Sequence, residues 1–134
     1  MNAVEVYEEI KAGVESIKND DCQSFPEAAS VGDYWRQGDI YITKLESIRS
    51  AGDVSIPDTE IRQLAPGTTQ GSRHIVEGDA TVYARSGDAL TGPVVVSKGC
   101  TITHPEHGNV KLPPGVYGIT YQRAYAEERR RVAD

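Results

Sequence analysis

The spacing of apolar residues changes once along the chain. Over residues 3–18, Val6, Tyr7, Ile10, Val14 and Ile17 recur at steps of three and four, with Glu5, Glu8, Glu9 and Lys11 between them. That period places the apolar side chains on one face of a helix. Asn2 supplies an N-cap, and Glu5 three residues later strengthens the start. An isolated helix of this length is marginal in water, so its stripe needs a surface to cover, on this chain or on another. Residues 1–18 are therefore expected to form an amphipathic helix. Residues 19–33 (NDDCQSFPEAASVGD) are rich in turn formers and read as a loop.

From residue 34 the period falls to two. YWRQGDIYITKL, residues 34–45, alternates about a Gly-Asp that marks a bend or bulge, with Trp35, Ile40 and Ile42 on one face. Residues 46–71 are poor in apolar side chains, with Ile61 and Leu64 as core anchors. Residues 74–85 (HIVEGDATVYAR) read as two strands about a Glu-Gly-Asp turn. Residues 93–97 and 100–104 read as a second pair about Lys98-Gly99. Residues 109–112 and 116–123 follow, separated by a Pro113-Pro114-Gly115 turn. About seven short strands at close spacing predict a mainly β protein, a small antiparallel barrel or sandwich, with one N-terminal helix attached. No helical pattern falls between the strands, which argues against a parallel α/β sheet. The domain expectation is a helix over 1–18 and a single β domain over 34–134.

Composition narrows the setting. A chain of 134 residues is one domain in size and can form a core without staples. No apolar run approaches the roughly 20 residues that cross a bilayer. Cys22 and Cys100 have no metal-type spacing and suit a reducing, cytoplasmic compartment. Charge is uneven. Residues 1–60 carry 13 acidic and 5 basic side chains, residues 61–134 carry 7 and 9, and the whole is −6. Such a chain repels nucleic acid, and its one basic cluster, Arg129 to Arg131, is too local to reverse that.

The chemistry concentrates around the three histidines. In THPEHG, residues 103–108, Pro105 pushes His104 into extended backbone and suits the second position of a type I turn. The first and fourth residues of such a turn have Cα atoms within about 7 Å, so His104 and His107 approach each other. Two imidazoles so placed hold a transition metal such as zinc when further ligands arrive. The remaining histidine is His74, at a strand start. One reading is a metal site of His74, His104 and His107 with Glu106 as ligand or general base. The other is a hairpin turn whose polar groups bond to nearby backbone, with no cofactor. The preceding loop, APGTTQGSRH, places Ser72 and Arg73 where backbone amides and a guanidinium can meet an anion, although no Walker pattern is present.

These strings in combination resemble a set of small bacterial and phage proteins. The order is RQGDIYI, then Gly-x-x-His before a strand, then His-x-Glu-His, then LPPGVYGITYQRAY and a closing RRVAD. The set's usual form is QGDV, GHxH, HxEH, LPPGxYxVxxQREY and RRVxD, and the resemblance covers residues 36–134. It implies a grouping, and that the segments Gly71–His74 and His104–His107 are related features, without implying an activity. Two positions depart from it: Ser72 stands where the set has a further histidine, and Ala124 where it has glutamate.

Two functional expectations follow. The first is a non-enzymatic binding or assembly module, acting with a protein partner or with copies of itself, away from membranes and nucleic acid. The second is a small metal-dependent, hydrolytic enzyme with a three-histidine site. A weaker third is an anion or nucleotide sensor using the Gly67–Arg73 loop.

Overall fold

A computed structural model describes residues 22–54, 62–67, 70–123 and 125. The helix expected over 1–18, Ile61 and the basic cluster at 129–131 lie outside the described residues. The rest is mainly β, a single sheet curled into a half-barrel. Its strands are β1 (Cys22–Ser24), β2 (Tyr34–Gln37), β3 (Ile40–Leu45), β4 (Ile75–Tyr83), β5 (Thr91–Thr103), β6 (Asn109–Leu112) and β7 (Gly115–Tyr121). Short 3-10 turns occupy Ile48–Ala51 and Gln70–Ser72. Among the described residues no helix is long and apolar enough to cross a membrane.

Seven strands were expected and seven are found among the described residues, but they are not the same seven. The two expected hairpins at 74–85 and 93–104 are instead two long strands, β4 and β5, paired with each other along their length. Gly78 and Gly99, read as turn residues, have φ of 106° and 128° and sit at a bulge. Asp79 pairs with Gly99 and Ala80 with Ser97, so Lys98 is the extra residue on β5. A positive φ at glycine serves a bulge as well as it serves a turn. Gly38-Asp39, expected as a bend or bulge, is a two-residue hairpin turn that splits 34–45 into β2 and β3, with Gln37 paired to Ile40. Glycine with φ 56° at the first turn position is what such a connection favours.

Pro113-Pro114 does not reverse the chain either. β6 and β7 lie end to end along one edge of β5 in a common register, Cys100 opposite Leu112 and Ser97 opposite Gly115. The two prolines, which have no N–H to give, occupy the gap between. Ser97 patches this gap. Its hydroxyl donates to the Leu112 carbonyl at 2.8 Å and accepts from the Gly99 N–H at 3.0 Å. The bulge on one side of β5 and the proline break on the other fall at the same level. There the sheet divides, with β7 leading to β3 and β2, and β6 leading to β1.

β1 lies in the segment expected to be a loop. It is a three-residue exposed strand, too short for a period to register, and it is held by parallel pairing with β6. The ends of the sheet path, β1 and β2, meet through side chains. Trp35 Nε1 donates to Gln23 Oε1 at 2.8 Å, and the Phe25 and Trp35 rings lie 6.3 Å apart.

The core fills the curl. Ile40, Ile42, Val95, Ile102 and Ile119 are fully buried, joined by Phe25, Leu64, Val76, Leu112 and Tyr117. Each such side chain contributes on the order of 1.5–3 kcal/mol relative to exposure. Ile40, Ile42 and Leu64 take the core places expected of them. Tyr117 is packing too: it stacks edge-on against Phe25 at 5.1 Å and donates to the Pro113 carbonyl.

Candidate functional site

Three chain segments converge at one end of the half-barrel: the β2–β3 turn, the 3-10 turn leading into β4, and the His104–Gly108 connection between β5 and β6. Each brings a polar side chain. Together they set three imidazoles in a row. The His74 and His104 ring centroids are 4.4 Å apart, and those of His104 and His107 are 4.6 Å apart.

His104 is the middle ring, and it is buried. Its Nδ1 accepts from the backbone N–H groups of Glu106 (3.0 Å) and His107 (3.2 Å). Backbone N–H groups only donate, so Nδ1 carries the lone pair and Nε2 the proton. Nε2 in turn lies 3.2 Å from the Gly71 carbonyl, which only accepts. Both nitrogens of this ring are thus spent on backbone. The proline-set turn predicted at THPEHG is present, and His104 caps it.

His74 is the inner ring and has no exposure to solvent. Its Nδ1 lies 2.8 Å from Gln37 Oε1. The Gln37 amide orientation is fixed by its own Nε2, which donates to the carbonyls of Ile102 (3.0 Å) and Gly108 (2.7 Å). Oε1 must therefore accept, so His74 Nδ1 carries the proton and Nε2 the lone pair. That Nε2 is buried and has no hydrogen-bond partner. The His74 pKa is lowered from 6.5 to about 3, chiefly by burial and then by the neighbouring His104 and His107. The Gly71 backbone, near the ring but not in hydrogen-bond geometry with Nε2, favours a protonated ring and opposes this more weakly.

His107 is the outer, exposed ring. It lies over Gly38, where an added Cβ would come within 2.5 Å of His107 Cδ2. Glycine at 38 therefore meets two needs, the hairpin's positive φ and room for this ring.

The remaining expected site residues are placed differently. Glu106 is exposed and contributes its backbone N–H, not its carboxylate, to the row. Ser72 is buried in the 3-10 turn while Arg73 beside it is exposed, so the two share no face. Among the described residues no group of three or more His, Cys, Asp or Glu side chains is arranged to hold one ion. Cys22 and Cys100 are both free thiols.

The residue that sequence reasoning passed over is Gln37. It is 1% exposed and binds β2 to the residue preceding β4, to β5 and to the loop before β6. A signal for it was present: a glutamine beside Gly-Asp, two residues after Trp35 and so on the same core-facing side of the strand as Trp35, Ile40 and Ile42.

No curated protein and no solved structure matches the chain. A family model described as "Domain of unknown function (DUF8820)" matches residues 36–122, a span that contains Gln37 and all three histidines of the row. The chain belongs to the DUF8820 family, a domain of unknown function.

Proposed function

We propose that the protein is a non-enzymatic binding module that works in an oligomer or a larger protein complex, in a cytoplasmic setting. The observation that carries this reading is how the histidine row is used. With Gln37, its nitrogens tie the end of β2, the turn leading into β4 and the β5–β6 connection together, and among the described residues no carboxylate or nucleophile is hydrogen-bonded to them. The alternative expectation, a hydrolytic three-histidine enzyme, draws less from the geometry because both His104 nitrogens are engaged by backbone.

The contact face we assign is the segment from β1 to β2. Among the described residues, Val31 and Tyr34 are the large apolar side chains that stand exposed, at 58% and 64%. Beside them runs a shallow groove lined by Pro26, Ala29, Gly32 and Trp35. Exposed apolar groups next to a groove are what a protein contact uses, and the net charge of −6 disfavours nucleic acid there.

Light scattering on size-fractionated protein, with native pull-down, tests the reading. Self-association or a retained partner is expected, and is expected to be lost in the Val31→Lys, Tyr34→Lys variant. A monodisperse monomer that retains no partner contradicts it, as does association unchanged in the variant.

A further inference from the structure

The outer face of the sheet carries a second polar row, built from hydrogen-bond donors. Ile40, Ile42 and Ile119 point into the core, so Tyr41 and Thr120, which alternate with them, point outward. Register sets Arg36 of β2 directly opposite Tyr41 of β3, and Tyr41 directly opposite Thr120 of β7. Gln122 follows β7 and ties into the row. With its amide oxygen turned to the guanidinium, it accepts from Arg36 Nη2 at 2.6 Å and from Arg36 Nε at 3.1 Å. Arg36 Nε also donates to the Gly38 carbonyl at 2.9 Å, which holds the guanidinium in place. The Gln122 Nε2 is thereby left as a donor.

A hollow of about 620 Å³ opens over this row, lined by Tyr41, Leu90 and the stretch from Thr120 to Arg123. No carboxylate lines it. Asp39, in the hairpin turn, gives its backbone carbonyl to the Gln122 N–H. The Asp88 carboxylate, two residues before Leu90, accepts from the Leu90 N–H and the Thr91 hydroxyl. The chain has 20 acidic side chains against 14 basic ones, yet among the described residues neither Arg36 nor Arg123 forms an ion pair.

We propose that this hollow binds a small phosphate monoester, with Arg123 and the Gln122 amide as direct donors to the phosphate and the organic group against Tyr41 and Leu90.

Arg36 is a positioning residue here: it stands at the rim, adds positive charge and fixes which end of the Gln122 amide faces the hollow. A guanidinium matches a phosphate in charge and in the fork of its donors. The Tyr41 and Thr120 hydroxyls supply further donors. Donors already held by the protein lose less freedom when the ligand arrives. The hollow has the size of an ordinary small-molecule site, and its apolar part favours an ester over free phosphate. Because the site is open to solvent, salt should weaken it. The inference does not depend on the contact face at Val31 and Tyr34, since a small ester is bound by a monomer as readily as by an assembly.

The test is a proton–nitrogen NMR titration of the full chain at low salt with phenyl phosphate, inorganic phosphate and phenol. Phenyl phosphate should saturate one site per chain, move the Gln122 side-chain amide and Arg123 Nε–H resonances, and bind more tightly than inorganic phosphate. Phenol should give no saturable shift. Arg123→Gln, at an exposed side chain, should weaken binding by about tenfold or more, the loss of one charge-assisted bond. Arg36→Gln should weaken it less, and Lys98→Gln, at the β5 bulge, should bind as the wild type does. Absence of saturable binding, shifts spread over the arginines and lysines at large, inorganic phosphate bound as tightly as the ester, or equal losses in Arg123→Gln and Lys98→Gln each overturns the proposal.

Discussion

Acid should loosen this protein through one residue. His74 is neutral in the fold, with its pKa lowered from 6.5 to about 3 by burial and by the adjacent imidazoles. In the unfolded chain the ring returns to its ordinary value. Above pH 6.5 the ring is neutral in both states and adds no pH dependence. Between 6.5 and about 3 the unfolded chain holds one proton more than the folded one, so stability falls as pH falls. The slope is about 1.4 kcal/mol per pH unit for one such group. At about pH 5 the folded ring is still neutral, and the accumulated loss is roughly 2 kcal/mol. That is a large share of the 5–15 kcal/mol typical of a domain. Urea unfolding of metal-free protein, followed by the fluorescence of the single tryptophan, Trp35, measures it across the pH range. His74→Asn is the control, because its amide N–H can still donate to Gln37 Oε1 while nothing titrates. The variant should lose one proton's worth of slope. If wild type and variant show the same slope between pH 5 and 6.5, the buried neutral ring is not the cause.

Gln37→Ala removes three hydrogen bonds from a buried side chain and leaves His74 Nδ1 and two carbonyls unsatisfied. It should cost about 3 kcal/mol or more in denaturant unfolding, and a loss under about 1 kcal/mol would show that the amide does not tie the segments together. Gly38→Ala should lower stability by more than Gly32→Ala. Both positions have positive φ, but only at 38 does the new Cβ strike a ring, that of His107, while at 32 it meets open space. Equal melting temperatures for the pair would refute that contact. Tyr117→Phe should cost about 1 kcal/mol for the lost bond to the Pro113 carbonyl. In the wild type the Tyr117 phenol, pushed up to about 12 by burial, should give an absorbance titration a step near that pH that is lost in Tyr117→Phe.

The sequence carried the fold class because alternation is local. Ile40 and Ile42 point inward on their strand, as their spacing requires, and Leu64 reaches the core from a turn-rich segment. What the sequence did not separate was a glycine that turns the chain from one that bends it. Gly78 and Gly99 each sit mid-strand with positive φ, and only the pairing of Asp79 with Gly99 and Ala80 with Ser97 reveals the bulge. The Pro113-Pro114 pair was ambiguous for the same reason. A break in a ladder and a chain reversal use the same residues, and the continuous register along β5 distinguishes them. β1 is fixed by a partner strand about ninety residues away, which no local pattern encodes.

The histidine row was legible in outline. Pro105 set the His104–His107 approach, and a strand start placed His74 beside His104. Its roles were not legible, because they depend on proton positions. His104 spends its lone pair on N–H groups two and three residues ahead, and His74 spends its N–H on a glutamine 37 residues earlier. Gln37 is polar and lies at a strand end, a place where most glutamines face water.

The central claim is that the two inner rings of the row, His74 and His104, form a clasp of fixed tautomers. Proton–nitrogen NMR of the imidazoles in the metal-free full chain, near neutral pH, tests it most directly. The account predicts His74 protonated on Nδ1 and His104 protonated on Nε2. A His74 ring protonated on Nε2, a His104 ring protonated on Nδ1, or rings that average between tautomers as in free solution would contradict it.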